Sequence, residues 1–338
     1  MTKRDKIIIS ALSLMILGFS LFALFYFLRG ANSFSVTPVK SERSGILSNQ
    51  ESGKASPFSG VNCQNYNGRA LSVVLAQYPE TMPLSGVSQA DIVIEGPVAN
   101  PGGVNRLVAI YQCQSPAEVG SIRSVRPYMV DLALGFDTVF SSWGGCKAAI
   151  ERIKSIGLDW LDARINLGGA FFRKRNTLAP HNGFAWPEKL KTAASSLKMR
   201  MTNQFEGYKF LRKEEIILSE EEQSIKINST YPAEYVYDPK TGGYLRYWNG
   251  RPMIDRNTAE QVLVKNVILM KTAIGVLSRG VVDVKITGKG ETIIYQGGRE
   301  VKGTWQKDNP RAKLYFFDEK GEELKFIPGS IWIEVVKK

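Results

Sequence analysis

The residues most able to do chemistry form the run GSIRSVRPY at positions 120–128. Arg123 and Arg126 stand three apart among serine hydroxyls. A guanidinium group binds a phosphate or carboxylate through two parallel hydrogen bonds, and hydroxyl and backbone N–H groups can bond the remaining oxygens. Pro127 suits the first turn of a helix, whose free N–H groups also favour anions. The run therefore predicts an oxyanion site, although arginine pairs more often lie on an open surface.

Other polar residues extend this candidate site along the chain. Arg106 begins a predicted strand, and His181, the single histidine, follows a proline in a predicted loop. A histidine near arginines and a hydroxyl can act as a general acid or base, but one in a loop is more often structural. The predicted ligand-binding residues are Arg106, Ser121, Arg123, Ser124, Arg126, Tyr128, Asp131, His181 and Asn182.

Several kinds of chemistry lack their sequence signatures. There is no Gly-x-Ser-x-Gly nucleophile elbow, no Walker-type phosphate loop and no dinucleotide fingerprint. The chain has three cysteines, one histidine and no C-x-x-C pair, which argues against a zinc site. We therefore expect no cofactor and no metal, and the catalytic residues, if any exist, are not specified.

Two sets of elements would position the candidate site. In the first half, four apolar runs predict strands and three amphipathic runs predict helices. The predicted strands are 70–76, 90–95, 107–112 and 138–142, and the predicted helices are 127–134, 146–156 and 186–197. From residue 203 the chain consists of short β-rich runs, with hairpin turns at 240–243 and 318–321. The fold class predicted is α+β, with a mixed α/β N-terminal domain at 61–202 and a mostly β, antiparallel C-terminal domain at 203–338.

The beginning of the chain predicts attachment to a membrane. Residues 7–28 contain no charged side chain, and a helix of that length is roughly 33 Å long, enough to cross an apolar layer of about 30 Å. Three basic residues precede it, which favours a signal anchor at 1–29 with the rest of the chain exported. A cleaved secretory signal is the alternative. Residues 30–60 are polar and predict a flexible linker.

The chain is strongly basic, with a formal net charge of +12. A basic exported surface favours anionic partners such as an envelope polymer or a lipid headgroup. Nucleic acid is not expected as a partner, because the predicted location is outside the cytoplasm. A basic surface that serves only solubility is the alternative.

These motifs resemble those of the YerB-like family, a bacterial domain of unknown function in two parts. The resemblance spans residues 68–336. It rests on PLSGVSQADIVIE at 83–95, VNRL at 104–107, the run at 120–128, GG at 144–145 and APHN at 179–182, then YLRY at 244–247, KNVI at 265–268, GTWQK at 303–307 and PGSIWI at 328–333. The resemblance implies an exported lipoprotein or membrane-anchored protein, and it implies architecture more than activity.

The chain departs from the family pattern at informative positions. No cysteine precedes Cys63, so the lipidation cysteine of lipoprotein members is missing, which supports a helical anchor. Histidines usual in the family are replaced near Trp143 and at Met253, which argues against a metal site. The family usually has a small hydroxyl residue at position 146, which favours Cys146 as the free thiol and a Cys63–Cys113 disulfide, with Cys113–Cys146 as the alternative.

Two functions fit these observations. In the first, a membrane-anchored extracytoplasmic protein binds an anionic cell-envelope ligand through its arginines. In the second, an envelope enzyme acts on a phosphorylated or acidic polymer, with Arg123 and Arg126 stabilising charge and His181 or Asp131 moving a proton.

Overall fold

The structure is a computed structural model and describes residues 53–98, 104–278 and 280–338. These residues belong to one compact unit that spans Asn49–Lys338. The predicted anchor at 7–28 lies outside the described residues. Within the described residues, no helix is long and apolar enough to cross a membrane. Phe58 is fully buried, so packed structure begins a few residues before position 60, where the predicted linker ends.

The described residues form three α-helices and a larger number of strands. The helices are α1 (Pro127–Gly135), α2 (Lys147–Ile156) and α3 (Pro187–Ser196). The strands before α3 are β1 (Lys54–Ala55), β2 (Asn62–Cys63), β3 (Leu71–Gln77), β4 (Ile92–Pro97), β5 (Asn105–Tyr111), β6 (Val119–Gly120), β7 (Val139–Ser142), β8 (Trp160–Asp162), β9 (Phe171–Arg173) and β10 (Gly183–Ala185). The strands after α3 are β11 (Lys209–Phe210), β12 (Ser224–Ile227), β13 (Ala233–Asp238), β14 (Gly243–Trp248), β15 (Arg251–Pro252), β16 (Leu263–Val264), β17 (Asn266–Thr272), β18 (Ile274–Ser278), β19 (Val281–Val284), β20 (Gly288–Gln296), β21 (Arg299–Lys307), β22 (Tyr315–Asp318), β23 (Lys325–Phe326) and β24 (Ile331–Lys337).

Ten strands form the main sheet, in the order β22-β21-β20-β17-β24-β4-β5-β3-β7-β8. Strand β24, from the end of the chain, lies between β17 and β4 and runs parallel to both. Strand β3 pairs antiparallel with β5 and parallel with β7. The main sheet is therefore mixed, and it joins strands from both halves of the chain.

The main sheet is covered on both faces, as its apolar strands require. Successive side chains of a strand point to opposite faces. Accordingly, Val74 of β3 packs in a cluster with α1 and α2, whereas its neighbours Val73 and Leu75 pack in a second cluster with α3. A strand buried on both faces shows no polar alternation, which is why β3 consists almost entirely of apolar residues.

A smaller antiparallel sheet, β12-β13-β14-β15 with β16 beside β14, packs in the second cluster. The hairpin between β13 and β14 turns at the Lys240–Gly243 sequence, as predicted. A three-stranded sheet, β6-β10-β9, lies next to the arginine run, because β6 ends where that run begins.

Local patterns of apolar residues suffice to predict the helices and longer strands of the first half of the chain. The strands and helices predicted before residue 203 are confirmed to within a few residues. The prediction of an antiparallel second half is wrong for β24, which runs parallel to β17 and β4, and for β11 and β23, which pair in parallel with each other. The described chain is mostly β. The division at residue 203 stays a prediction.

The structure confirms the predicted cysteine pairing. A disulfide joins Cys63 to Cys113, and Cys146, half-buried just before α2, is the free cysteine of the described residues. The bridge ties the segment before β3 to the end of β5.

Candidate anion-binding site

The arginine run is held against the edge of β3. Strand β7 pairs with only the first three residues of β3, and the run covers the rest of that edge. The N–H of Arg123 donates to the carbonyl of Val74 at 2.9 Å, and the N–H of Ala76 donates to that of Ser121 at 2.8 Å. This extended pairing fixes the backbone from which the arginine side chains project.

Arg106 is the most deeply buried of the three predicted arginines, with 8% of its surface exposed. Its Nη1 donates to the carbonyl of Ser124. Burial, followed by the positive charges of Arg126 and Arg123, lowers the pKa of Arg106 to about 9. No carboxylate of the described residues lies within ion-pair distance of these three arginines; what they bond are carbonyls and one serine hydroxyl.

Arg106 and Arg123 line a cleft of about 300 Å³, which we call the arginine cleft. The guanidinium Nη1 of Arg123 donates to the carbonyl of Pro180 at 2.9 Å and so holds the segment that carries His181. The complete lining of the arginine cleft is Ala76, Gln77, Tyr78, Val104, Asn105, Arg106, Arg123 and His181. The predicted residues Arg106, Arg123 and His181 are therefore brought together.

His181 stacks on Tyr78, with ring centroids 5.7 Å apart and planes nearly parallel. Burial, followed by the charge of Arg123, lowers the pKa of His181, while Glu80 acts in the opposite direction. Its Nδ1 is buried without a hydrogen-bond partner in the described residues. The lowered pKa favours the neutral imidazole, and an anion bound beside it would raise that pKa.

A second, smaller cleft of about 170 Å³ adjoins the first and shares Arg123 with it. Its lining is Ile122, Arg123, Ser124, Trp143, Arg173 and Pro180. The guanidinium of Arg173 lies over the Trp143 ring, 4.3 Å from its centroid, and its Nη1 donates to Oδ1 of Asn182 at 2.6 Å. Asn182 thus orients an arginine in this second cleft.

The remaining predicted residues lie around the clefts. Arg126 does not line either cleft but lies close enough to Arg106 to lower its pKa. Tyr128 is buried and its hydroxyl donates to the carbonyl of Pro97 at 3.2 Å. Ser121 is buried and its Oγ has no partner among the described residues.

Asp131 does not join the candidate site. It lies on α1 and forms an ion pair with Nε of Arg152 at 2.9 Å. Helical spacing from Tyr128 places it on the same helix, but the packing of α1 against α2 turns it towards Arg152 instead. The proposal that Asp131 moves a proton at the arginines has no geometric support.

Sequence reasoning missed three polar residues of the arginine cleft: Gln77, Tyr78 and Asn105. Gln77 and Asn105 both donate to the buried carboxylate of Glu95, at 3.2 and 2.8 Å. Because Nε2 of Gln77 must face that carboxylate, its Oε1 faces away and is left without a partner in the described residues. The available signal was Glu95 itself, a charged residue inside an apolar strand.

Glu95 belongs to a network that we call the buried arginine network, comprising Glu95, Tyr235, Arg246 and Glu334. Arg246 donates from Nη2 to Glu95 at 2.6 Å and from Nε to the Tyr235 hydroxyl at 3.0 Å, and that hydroxyl donates to Glu334 at 2.5 Å. Burial, followed by the charge of Glu95, raises the pKa of Glu334 to about 8. The raised pKa favours the protonated form of Glu334 at neutral pH.

Comparisons with known proteins identify the family. The N-terminal domain of "Protein of unknown function (DUF3048)" matches residues 58–200, and its C-terminal domain matches residues 224–333. The chain thus has the two-part architecture expected from its motifs, and it belongs to the DUF3048, YerB-like family.

Two matches to a Bacillus subtilis protein agree with this assignment. The chain is 29% identical over 282 residues to "Putative lipoprotein YerB" of Bacillus subtilis (strain 168), covering 79% of this chain and 81% of the relative. The crystal structure of YerB protein from Bacillus subtilis superimposes with a TM-score of 0.75 at 28% identity, covering 83% of this chain and 96% of that one.

Proposed function

We propose that the chain is a membrane-anchored extracytoplasmic protein that binds an anionic ligand of the cell envelope in the arginine cleft. The observation that carries the proposal is the cluster of Arg106, Arg123 and Arg126, which has no carboxylate partner among the described residues. A buried charge without a counterion costs several kcal/mol in real proteins. A bound anion would supply the missing charge.

The location is proposed from two features. The Bacillus subtilis relative is named "Putative lipoprotein YerB". This chain has no cysteine before Cys63 for a lipid, but residues 7–28 form an uncharged run long enough to span a bilayer. A helical signal anchor would therefore replace the lipid and keep the chain attached to the membrane.

Binding is favoured over turnover by the composition of the arginine cleft. Among its lining residues, His181 is the one group suited to proton transfer near neutral pH. No serine, cysteine or carboxylate lines the cleft as a nucleophile. The enzyme alternative would need a nucleophile from water or from the ligand itself.

A thermal-shift experiment tests this proposal. The purified full-length chain in mild detergent is heated with inorganic phosphate, glycerol 3-phosphate or galacturonate at constant ionic strength. Arg106→Gln and Arg123→Gln remove charge from the arginine cleft, and Arg299→Gln removes the same charge from an exposed position on β21.

We expect at least one anion to stabilise the wild-type chain and the Arg299 variant, by about 2.7 kcal/mol at a concentration 100 times its dissociation constant. The two cleft variants should lose this stabilisation. An equal shift in all four proteins would show that binding is non-specific and would contradict the proposal, as would the absence of any shift.

A further inference from the structure

The arginine cleft and the second cleft share Arg123 as a lining residue, and we call the two clefts together the basic groove. Arg123 lines both, and the adjacent residues Pro180 and His181 line one each. The bond from Arg123 to the Pro180 carbonyl fixes this shared partition. A ligand that contacts Arg123 is therefore next to both clefts at once.

We infer that the ligand is a linear polyanion, with a negative group on successive repeats, that occupies both clefts together. This inference rests on the proposed function and adds the class of ligand to it. Arg106 lines the arginine cleft, Arg173 lines the second cleft and Arg123 lines both, so a ligand with several negative groups would meet a guanidinium in each cleft.

The volume of the groove supports an extended ligand. The arginine cleft of about 300 Å³ has room for roughly ten water molecules at about 30 Å³ each. A single phosphate or carboxylate group would fill only part of it and would reach none of the second cleft. A ligand with several repeats would fill both and would use all three guanidinium groups.

Two neighbouring residues hold the side chain of Arg173 in position. Its guanidinium lies over the Trp143 ring at 4.3 Å, and one donor is used by Asn182. Stacking on an aromatic ring orients a guanidinium in a fixed plane. Since arginine has five N–H donors, Arg173 keeps donors free for a ligand. No carboxylate of the described residues lies within ion-pair distance of it, in contrast to the nearby Arg164, which pairs with Asp162.

The neighbouring residues offer a matched control. Arg175 lies two residues beyond Arg173, just after the end of β9; it is exposed, as Arg173 is, but lines neither cleft. Arg173→Gln and Arg175→Gln therefore remove the same charge from neighbouring exposed positions, but only the first changes the groove.

Calorimetric titration of the full-length chain tests the inference. The probes are inorganic phosphate, a linear polyphosphate and an oligogalacturonate, each compared per negative group at matched ionic strength. We expect either the polyphosphate or the oligogalacturonate to bind at least tenfold more tightly than inorganic phosphate. Arg173→Gln should lower the affinity for that polymer at least tenfold while its affinity for inorganic phosphate is unchanged. Arg175→Gln should resemble the wild type.

The outcomes separate this inference from the proposed function. If the affinity for polyphosphate depends on Arg173, the repeats of the ligand carry phosphate groups. If the affinity for oligogalacturonate depends on Arg173, they carry carboxylate groups. The inference of an extended ligand is overturned if inorganic phosphate binds as tightly per charge as both polymers, or if Arg173→Gln leaves the affinity for the polymer unchanged. In either case, anion binding in the arginine cleft stands. If none of the three probes binds, the proposed function and this inference are both overturned.

Discussion

Two buried arginines of this molecule have opposite surroundings. Arg246 is fully buried and lies in ion-pair distance of Glu95 and Glu334, with its guanidinium 4.3 Å from the Trp332 ring centroid. Arg106, 8% exposed, has carbonyls and other arginines beside it instead. Burial alone would lower the pKa of Arg246, but Tyr235, Glu95 and Glu334 raise it above the usual value, whereas the pKa of Arg106 falls to about 9.

The difference separates a structural charge from a charge available to a ligand. The partners of Arg246 come from strands β4, β13 and β24, so its charge is neutralised by the fold itself. The charge of Arg106 is not neutralised by the described residues. Two arginines of similar burial therefore have different roles, one in stabilising the fold and one in binding a ligand, and each role predicts a different response to mutation.

The largest effect should follow from removing Arg246. Arg246→Met keeps an apolar stem of similar length but leaves the Glu95 carboxylate buried without its counterion. Breaking a buried pair by removing one partner costs about 3–5 kcal/mol of unfolding free energy. Urea unfolding followed by tryptophan fluorescence measures this loss.

A double variant is the control for Arg246→Met. Arg246→Met with Glu95→Gln removes both charges, and replacing a buried pair by neutral groups is often close to neutral. We expect most of the lost stability to return. A loss below 1 kcal/mol in the single variant would mean that the buried arginine network contributes little to the fold.

The next effect depends on pH and comes from Glu334. Its folded pKa of about 8 lies above the ordinary value of 4.5. Between those values the unfolded chain releases the proton and the folded chain keeps it, so stability falls as pH rises, by roughly 1 kcal/mol for each pH unit. Above pH 8 this contribution stops changing.

Glu334→Gln should remove this pH dependence. The amide can accept from Tyr235 and donate to Glu95 as the protonated acid does, and it does not titrate. The stability of the variant relative to the wild type should therefore increase from pH 5 to pH 8. A difference that is the same at both pH values would show that Glu334 is ionised in the folded chain.

Arg106 should behave in the opposite way to Arg246. Arg106→Met removes a buried charge that Arg123 and Arg126 repel, and loses its hydrogen bond to Ser124. Without ligand we expect the unfolding free energy to stay within about 1 kcal/mol of the wild type or to rise, since the lost hydrogen bond contributes about 1 kcal/mol and removal of an uncompensated buried charge acts in the opposite direction. Anion affinity should nevertheless fall at least tenfold. A loss of stability as large as that of Arg246→Met would show that Arg106 is structural.

The same contrast explains how much of the fold could be predicted. Local patterns of apolar residues predict the elements β3, α1 and α2, each to within a few residues. The position of β24 between β4 and β17 was not, because no local pattern shows which strands meet across more than 200 residues of chain. Such non-local pairing depends on the packing of the whole sheet.

The candidate site was predictable in part for a related reason. Arg123 was predicted from the arginines and hydroxyls of the run at 120–128, and Arg106 from its position at the start of a predicted strand. Gln77 and Tyr78 end a buried strand and look like ordinary core residues until the cleft beside them is seen. Helical spacing placed Asp131 on the right helix but could not show which neighbour it would meet.

The smallest effect should come from Asp131, and it sharpens the contrast with a third kind of charge. Its pair with Arg152 is partly exposed, with 20% and 36% of the two side chains accessible, and such pairs contribute about 0–1 kcal/mol. Asp131→Asn should therefore lower unfolding free energy by less than about 1 kcal/mol and leave anion affinity as in the wild type. A tenfold loss of anion affinity, measured by the same titration as for Arg106→Met, would return Asp131 to the site, because an effect of that size requires it to act on the ligand or on an arginine that binds it. An unchanged affinity leaves the arginines without a carboxylate in their surroundings, which is the condition that separates Arg106 from Arg246.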